Sequence, residues 1–137
     1  FKTKSIKAEA INNKTKLTLI VRRDLNPGSQ AAQMVHAAYS FQKEYSNIQD
    51  VWYNISNYVA LLSCENEQSL KDLISKANAK GIKYSAFTEP DLNDSLTSIV
   101  LEPCEEASKM CSSLQLAFKE YNDYFKNSIR KEVTHGN

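Results

Sequence analysis

Four polar side chains stand close together in the first third of the chain: Arg22 and Asp24, then Gln33 and His36. A cation beside a carboxylate, followed by an amide and an imidazole, can polarise a carbonyl, hold a water and move its proton, which is what ester or amide hydrolysis requires. Gln33 and His36 are three residues apart, so on a helix both would reach one ligand. Structural roles compete at each position. His36, beside Ala37 and Ala38, can serve as a hydrogen-bonded packing histidine, Asp24 as a turn cap and Arg22 as its ion partner. The residue types and spacing admit both sets of roles.

The elements that would position these residues follow from hydrophobic patterning. Lys16 to Arg22 is apolar and β-branched on both faces, as a strand covered on both sides would be. Asn26-Pro-Gly28 breaks it, and Ser29 is a suitable N-cap for a helix to about Ser46. In that helix Ala31, Met34, Val35, Ala38, Phe41 and Tyr45 would form the buried stripe, with Gln33, His36, Ser40 and Lys43 on another face. Tyr58 to Ser63 reads as a second strand and Glu67 to Lys80 as an amphipathic helix stopped by Gly81. Ile82 to Phe87 and Leu96 to Leu101 read as strands, and Pro103 to about Arg130 as one or two helices. The expectation is an α/β fold in the order β-α-β-α-β-β-α: a four-stranded mixed sheet with helices on both faces. The first three strands would run parallel and the fourth antiparallel. The candidate site then lies at the carboxyl end of the first strand, facing a helix N-terminus. Glu89, Asp91 and Asp94 of a second loop join it if strands one and three adjoin.

Composition narrows the class. With 42% hydrophobic and 24% charged residues, the 137-residue chain has globular composition and is long enough to bury a core. Residues 16–130 are expected to form one domain, 1–15 a basic extension and 131–137 a tail. The apolar stretches are strand-sized and no signal peptide is evident, so no membrane is expected and a cytoplasmic protein is. Cys64, Cys104 and Cys111 are odd in number and form no CxxC pair, supporting neither a disulfide framework nor a metal site. No GxGxxG or GxxxxGK[ST] loop occurs, so nucleotide cofactors have no motif support. The net charge of +1 hides a gradient: residues 1–23 carry +6, and Glu89 to Glu106 holds six acids and no base. One end suits a phosphate backbone and the other repels it; a basic extension serving only solubility fits the same charge count.

Leu19-Ile-Val-Arg-Arg-Asp-Leu-Asn-Pro-Gly28 and Ala31-Ala-Gln-Met-Val-His-Ala-Ala38 resemble the peptidyl-tRNA hydrolase family of the archaeal and eukaryotic type. The resemblance extends through Glu65-Asn-Glu-Gln-Ser-Leu70 and Ala79-Lys-Gly-Ile-Lys-Tyr-Ser-Ala-Phe87, covering about residues 16–103. The Glu89-Pro-Asp-Leu segment and the Leu-Thr-Ser-Ile-Val that follows look like a bacterial or phage-type branch. What the resemblance implies is hydrolysis of the ester joining a peptide to the terminal ribose of tRNA. The partner would be peptidyl-tRNA, the domain one that often forms a homodimer, and no metal or organic cofactor is implied. Asp24 or His36 would then manage the water or its proton. Arg22 and Gln33, with the amides of the helix start, would hold the carbonyl or a terminal phosphate. Ser29, Gln30 and Arg23 would contact substrate, and Asp91 or Thr97 would complete the wall.

The chain departs from the family pattern in two places. Where these hydrolases carry a Lys at the helix start, this chain has a loop shorter by about two residues and Ser29-Gln30. Where they carry Asp-Ala-Gly followed by Arg-Thr, it has the acidic Glu89-Pro-Asp-Leu-Asn-Asp94. A relative that binds a small ligand, an RNA end or a protein through the same pocket, without hydrolysis, is therefore the alternative expectation.

Overall fold

The computed structural model describes residues 10–136, with side chains through Ser128; most of the basic lead-in lies outside the described residues. In chain order the elements are β1 (Lys16–Arg22), α1 (Pro27–Glu44), α2 (Ser46–Ile55), β2 (Tyr58–Cys64), α3 (Glu67–Ala79), β3 (Tyr84–Glu89), a 3-10 turn (Pro90–Leu92), β4 (Ser95–Leu101), α4 (Glu105–Met110), β5 (Gln115–Leu116) and α5 (Lys119–Gly136). The sheet order is β3-β4-β1-β2-β5. β1 and β2 pair in parallel, β4 runs antiparallel to both β1 and β3, and β5 runs antiparallel to β2. β1, β2 and β3 thus share one direction, as helical crossovers require.

Leu17, Leu19 and Val21 of β1 pack against Met34, Ala37 and Phe41 of α1, whereas Ile20 packs against Leu70, Leu73 and Ala77 of α3. Period-two alternation sends both sets of side chains into a core, so the strand is apolar on both faces. Ala107 of α4 joins the α3 side, and Phe118, just before α5, leans on the α1 side. Ile11 is buried in the α1-side core, so the packed domain begins ahead of β1. No described helix is long and apolar enough to cross a membrane.

Several sequence expectations require correction. The sheet has five strands, not four, because Gln115–Leu116 adds an edge strand too short and too exposed to show alternation. Strands one and three do not adjoin, since β4 lies between them. The first helix starts at Pro27, with Asn26 rather than Ser29 as its cap: the Asn26 Oδ1 accepts from the Ser29 N–H, and Pro27 sits where its missing N–H costs nothing. The helix ends at Glu44 and a separate α2 follows. The break is at Tyr45, whose φ of −133° and ψ of 48° leave the helical region while its ring stacks beside Phe41. The buried face of α1 is also rotated from the expected stripe. Gln30, Gln33, Met34, Ala37 and Phe41 face the sheet, while Ala31 and Val35 are exposed. Two glutamines occupy buried positions because their amides find partners there, which an apolar periodicity cannot register. The expected stop of α3 is observed: Gly81 takes a φ of +69° just past the helix end.

Phe41 is fully buried, so Phe41→Ala is expected to lower unfolding stability by about 3–5 kcal/mol. Asn26→Ala, which removes only the cap of α1, is expected to cost about 1 kcal/mol. Denaturant titration of the two variants checks both the magnitudes and their order.

Candidate functional site

Arg22 closes β1, and Asp24 follows in the β1–α1 loop. The Arg22 guanidinium grips the Asp24 carboxylate with two bonds, Nε to Oδ1 and Nη2 to Oδ2, both 2.9 Å. Its remaining Nη1 donates to the Leu96 carbonyl at 3.2 Å, tying the loop to β4. The hydrogen bonds from Arg22 hold the Asp24 carboxyl below its ordinary value, and the same contact raises Arg22. Both oxygens of Asp24 are engaged and the group stays ionised, so it is a poor acceptor for a proton from water.

Gln33, in the second turn of the helix and 4% exposed, lies at the centre of a second cluster. Its Nε2 donates to Glu89 Oε1 at 2.9 Å, and its Oε1 accepts from the Thr97 hydroxyl at 2.7 Å. Partner chemistry fixes this amide orientation: a carboxylate only accepts, and the hydroxyl has one proton to give. Thr97 also approaches the Phe87 carbonyl at 3.3 Å, but its single proton is directed to Gln33.

A β-bulge places Thr97 there. Phe87 pairs with Ser98 and Thr88 with Leu96, leaving Thr97 without an opposite residue. Strict alternation would put Thr97 with Ile99 on the α3 side; the extra residue turns its hydroxyl toward α1 instead. Glu89 reaches the same spot by ordinary alternation from Phe87. Strand three therefore contributes even though it is not next to β1, because α1 packs across β1, β4 and β3 together.

His36, one turn after Gln33, is exposed and lies against the Phe87 ring, with centroids 4.6 Å apart. Gln30 is buried, and its Nε2 donates to the Leu25 carbonyl at 2.6 Å, closing the loop from within. The Ser29 and Gln30 N–H groups are both taken by Asn26, through its side chain and its carbonyl. With Pro27 lacking an N–H, the first turn of α1 has little to offer an anion. Arg23 projects to solvent beside a cavity of about 210 Å³ that Gln30 and Ser63 also line. Asp91 is exposed in the 3-10 turn; its N–H reaches the Glu89 carboxylate at 3.4 Å, and no side-chain bond connects it to Gln33.

The predicted residues thus separate into an Arg22–Asp24 clamp and a Gln33–Thr97–Glu89 network with His36 beside it. Glu89 belongs to the network, although the sequence placed it only in a neighbouring loop; its even spacing from Phe87 was the available signal. Cys64 and Cys111 are poor nucleophiles. Burial pushes the thiols of Cys64 and Cys111 up to about 11, so both remain protonated near neutral pH.

A family model described as peptidyl-tRNA hydrolase PTH2 matches residues 15–117. No curated protein matches the chain. The matched stretch contains the clamp and the whole network, and it ends before α5. The model is of the archaeal and eukaryotic type, so the bacterial or phage-type branch suggested by the Glu89-Pro-Asp-Leu segment is not supported.

Thr97→Val keeps the shape but leaves the buried Gln33 oxygen without a donor, and is expected to cost about 1–3 kcal/mol in chemical denaturation. Asp24 has a lowered folded-state value, so its contribution is present above the ordinary carboxylate range and is lost as pH falls through that lowered value. The stability gap between wild type and Asp24→Asn should therefore be steady near neutrality and close in acid. With the Asp24 side chain 40% exposed, the gap should be small.

Proposed function

The chain belongs to the peptidyl-tRNA hydrolase family PTH2, and on that premise we propose that it hydrolyses the ester joining a peptide to the terminal ribose of tRNA. The observation that carries the reading is the Gln33–Thr97–Glu89 network, which fastens the β1–α1 segment to the β3–β4 segment across β4. Water attacks the ester carbonyl carbon, gives up a proton to a side-chain acceptor, and the ribose oxygen leaves with a proton as a hydroxyl. His36 is assigned the transfer, since its imidazole is exposed beside the network. Glu89, held by the Gln33 amide, is assigned the water.

Gln33 and Arg22 are positioning residues in this scheme. The Gln33 amide is spent on Glu89 and Thr97, and the Arg22 guanidinium on Asp24 and Leu96. Asp24 orients Arg22 rather than accepting a proton, which departs from the role the resemblance implied. Arg23, Ser29 and Asp91 remain proposed substrate contacts at the rim. The reaction would take place in the cytoplasm, where its substrate arises, and a homodimer would use exposed apolar residues such as Tyr124 and Phe125 of α5.

The exposed Asp91 and Asp94, with Ser29-Gln30 at the helix start, favour a second reading in which the pocket binds without hydrolysis. Release of tRNA from purified peptidyl-tRNA separates the two. The proposal expects turnover by the wild type, a fall in kcat/KM of about 10² or more in His36→Ala or Glu89→Gln, and a smaller fall in Asp24→Asn. A folded wild type without turnover overturns it; retained tRNA binding would then support the second reading.

A further inference from the structure

The cavity beside Arg23 has features that the hydrolytic scheme does not use. Its outer wall is the start of α5, which brings Lys119 and Tyr121 opposite Arg23, Gln30 and Ser63. Phe118 sets this wall: at a φ of +59°, a conformation side chains rarely adopt, it turns the chain from β5 into α5 while packing on the α1-side core. The Ala117 N–H bonded to the Leu61 carbonyl at 2.8 Å secures the same corner to β2.

Two observations point to an anionic occupant. Arg23 and Lys119 are both exposed at the cavity, and neither forms an ion pair among the described residues. Glu120 also lies on the wall, so the cavity carries one positive charge in excess. Independently, Ser63 is 1% exposed and its buried Oγ has no hydrogen-bond partner. In register with Val21, it points to the α1 side of the sheet, where this cavity lies. A buried hydroxyl without a partner is costly unless something completes it. The volume of about 210 Å³ is below the roughly 300–1,000 Å³ of whole-ligand clefts, so the occupant is a small group rather than an entire nucleotide. A neighbouring hollow toward α3 shares Arg23 and Ser63, but there Arg23 and Lys76 are balanced by Glu65 and Asp72, so it lacks the positive excess that Lys119 gives the α5 cavity.

We propose that this cavity is a phosphate-ester site, built by Arg23 and Lys119 as cations and Ser63 as donor, and that it seats one phosphodiester of a single-stranded RNA. Tyr121 at its edge offers a ring on which the adjoining base stacks. That the RNA is the end of the hydrolase's own substrate rests on the function proposed above; the phosphate site itself does not.

The test is fluorescence anisotropy with a labelled short single-stranded RNA, with inorganic phosphate titrated as competitor. Lys119→Ala and Arg23→Ala are each expected to weaken RNA binding on the order of tenfold, and Ser63→Ala by roughly 2- to 10-fold. Each lost phosphate contact should flatten the plot of log affinity against log salt by about 0.7. Lys126→Ala, on α5 but away from the cavity, should match the wild type. Equal effects of Lys119→Ala and Lys126→Ala, or none from either, overturn the proposal. Direct binding of inorganic phosphate, read by titration calorimetry and abolished in Lys119→Ala, without RNA binding in the anisotropy assay supports the site and overturns the RNA as its occupant. Peptidyl-tRNA assays separate the two readings. Lys119-dependent RNA binding without turnover leaves the phosphate site standing and removes the hydrolase. Turnover with KM unchanged in Lys119→Ala, and no Lys119-dependent binding, does the reverse.

Discussion

The site depends on one extra residue in β4. Without the bulge at Thr97 its hydroxyl would face α3, the Gln33 oxygen would be buried without a donor, and α1 would lose its side-chain hydrogen bond to the start of β4. With it, a helix from one crossover and a hairpin from another meet through a single amide. The Arg22 clamp performs a similar service from the other direction, tying the β1–α1 loop to the Leu96 carbonyl beside the bulge. Both linkages end on the same short stretch of β4, so the loop and the helix are positioned by a common reference.

This arrangement explains why a largely apolar interface tolerates buried polar groups. Gln30 and Gln33 face the sheet among Met34, Ala37 and Phe41, yet each amide is bonded, one to the Leu25 carbonyl and the other to Thr97 and Glu89. A bonded amide costs little and fixes geometry, whereas a lone one would be strongly unfavourable. Ser63 is an exception on that face, its hydroxyl buried without a partner at the α5 corner; Ser85, in register with Val100, and Gln49 of α2 are others in the interior.

Much of the framework was legible in the residue pattern. The doubly apolar β1, the α3 stripe ending at Gly81 and the strand directions all followed from periodicity and connection length. The expected gathering of Arg22, Asp24, Gln33 and His36 at one site instead resolves into the Arg22–Asp24 clamp and the separate Gln33 network. Features that involve no local signal were not legible. A bulge is set by pairing between strands, the break at Tyr45 occurs without Gly or Pro, and β5 is two residues long. The reading of α1 failed for a related reason: buried glutamines look polar in sequence and are recognised as interior only when their partners, distant along the chain, are known. The same distance hid Glu89 from Gln33 and Lys119 from Arg23.

On the proposed reading, Gln33 and Thr97 act as one unit in holding the hydrolytic site together. A double-mutant cycle on kcat/KM for peptidyl-tRNA, using Gln33→Leu, Thr97→Val and the pair, measures this directly. Strong non-additivity is expected, with the pair losing about as much activity as the worse single variant. Losses that simply add, or single variants with unaltered turnover, would contradict it.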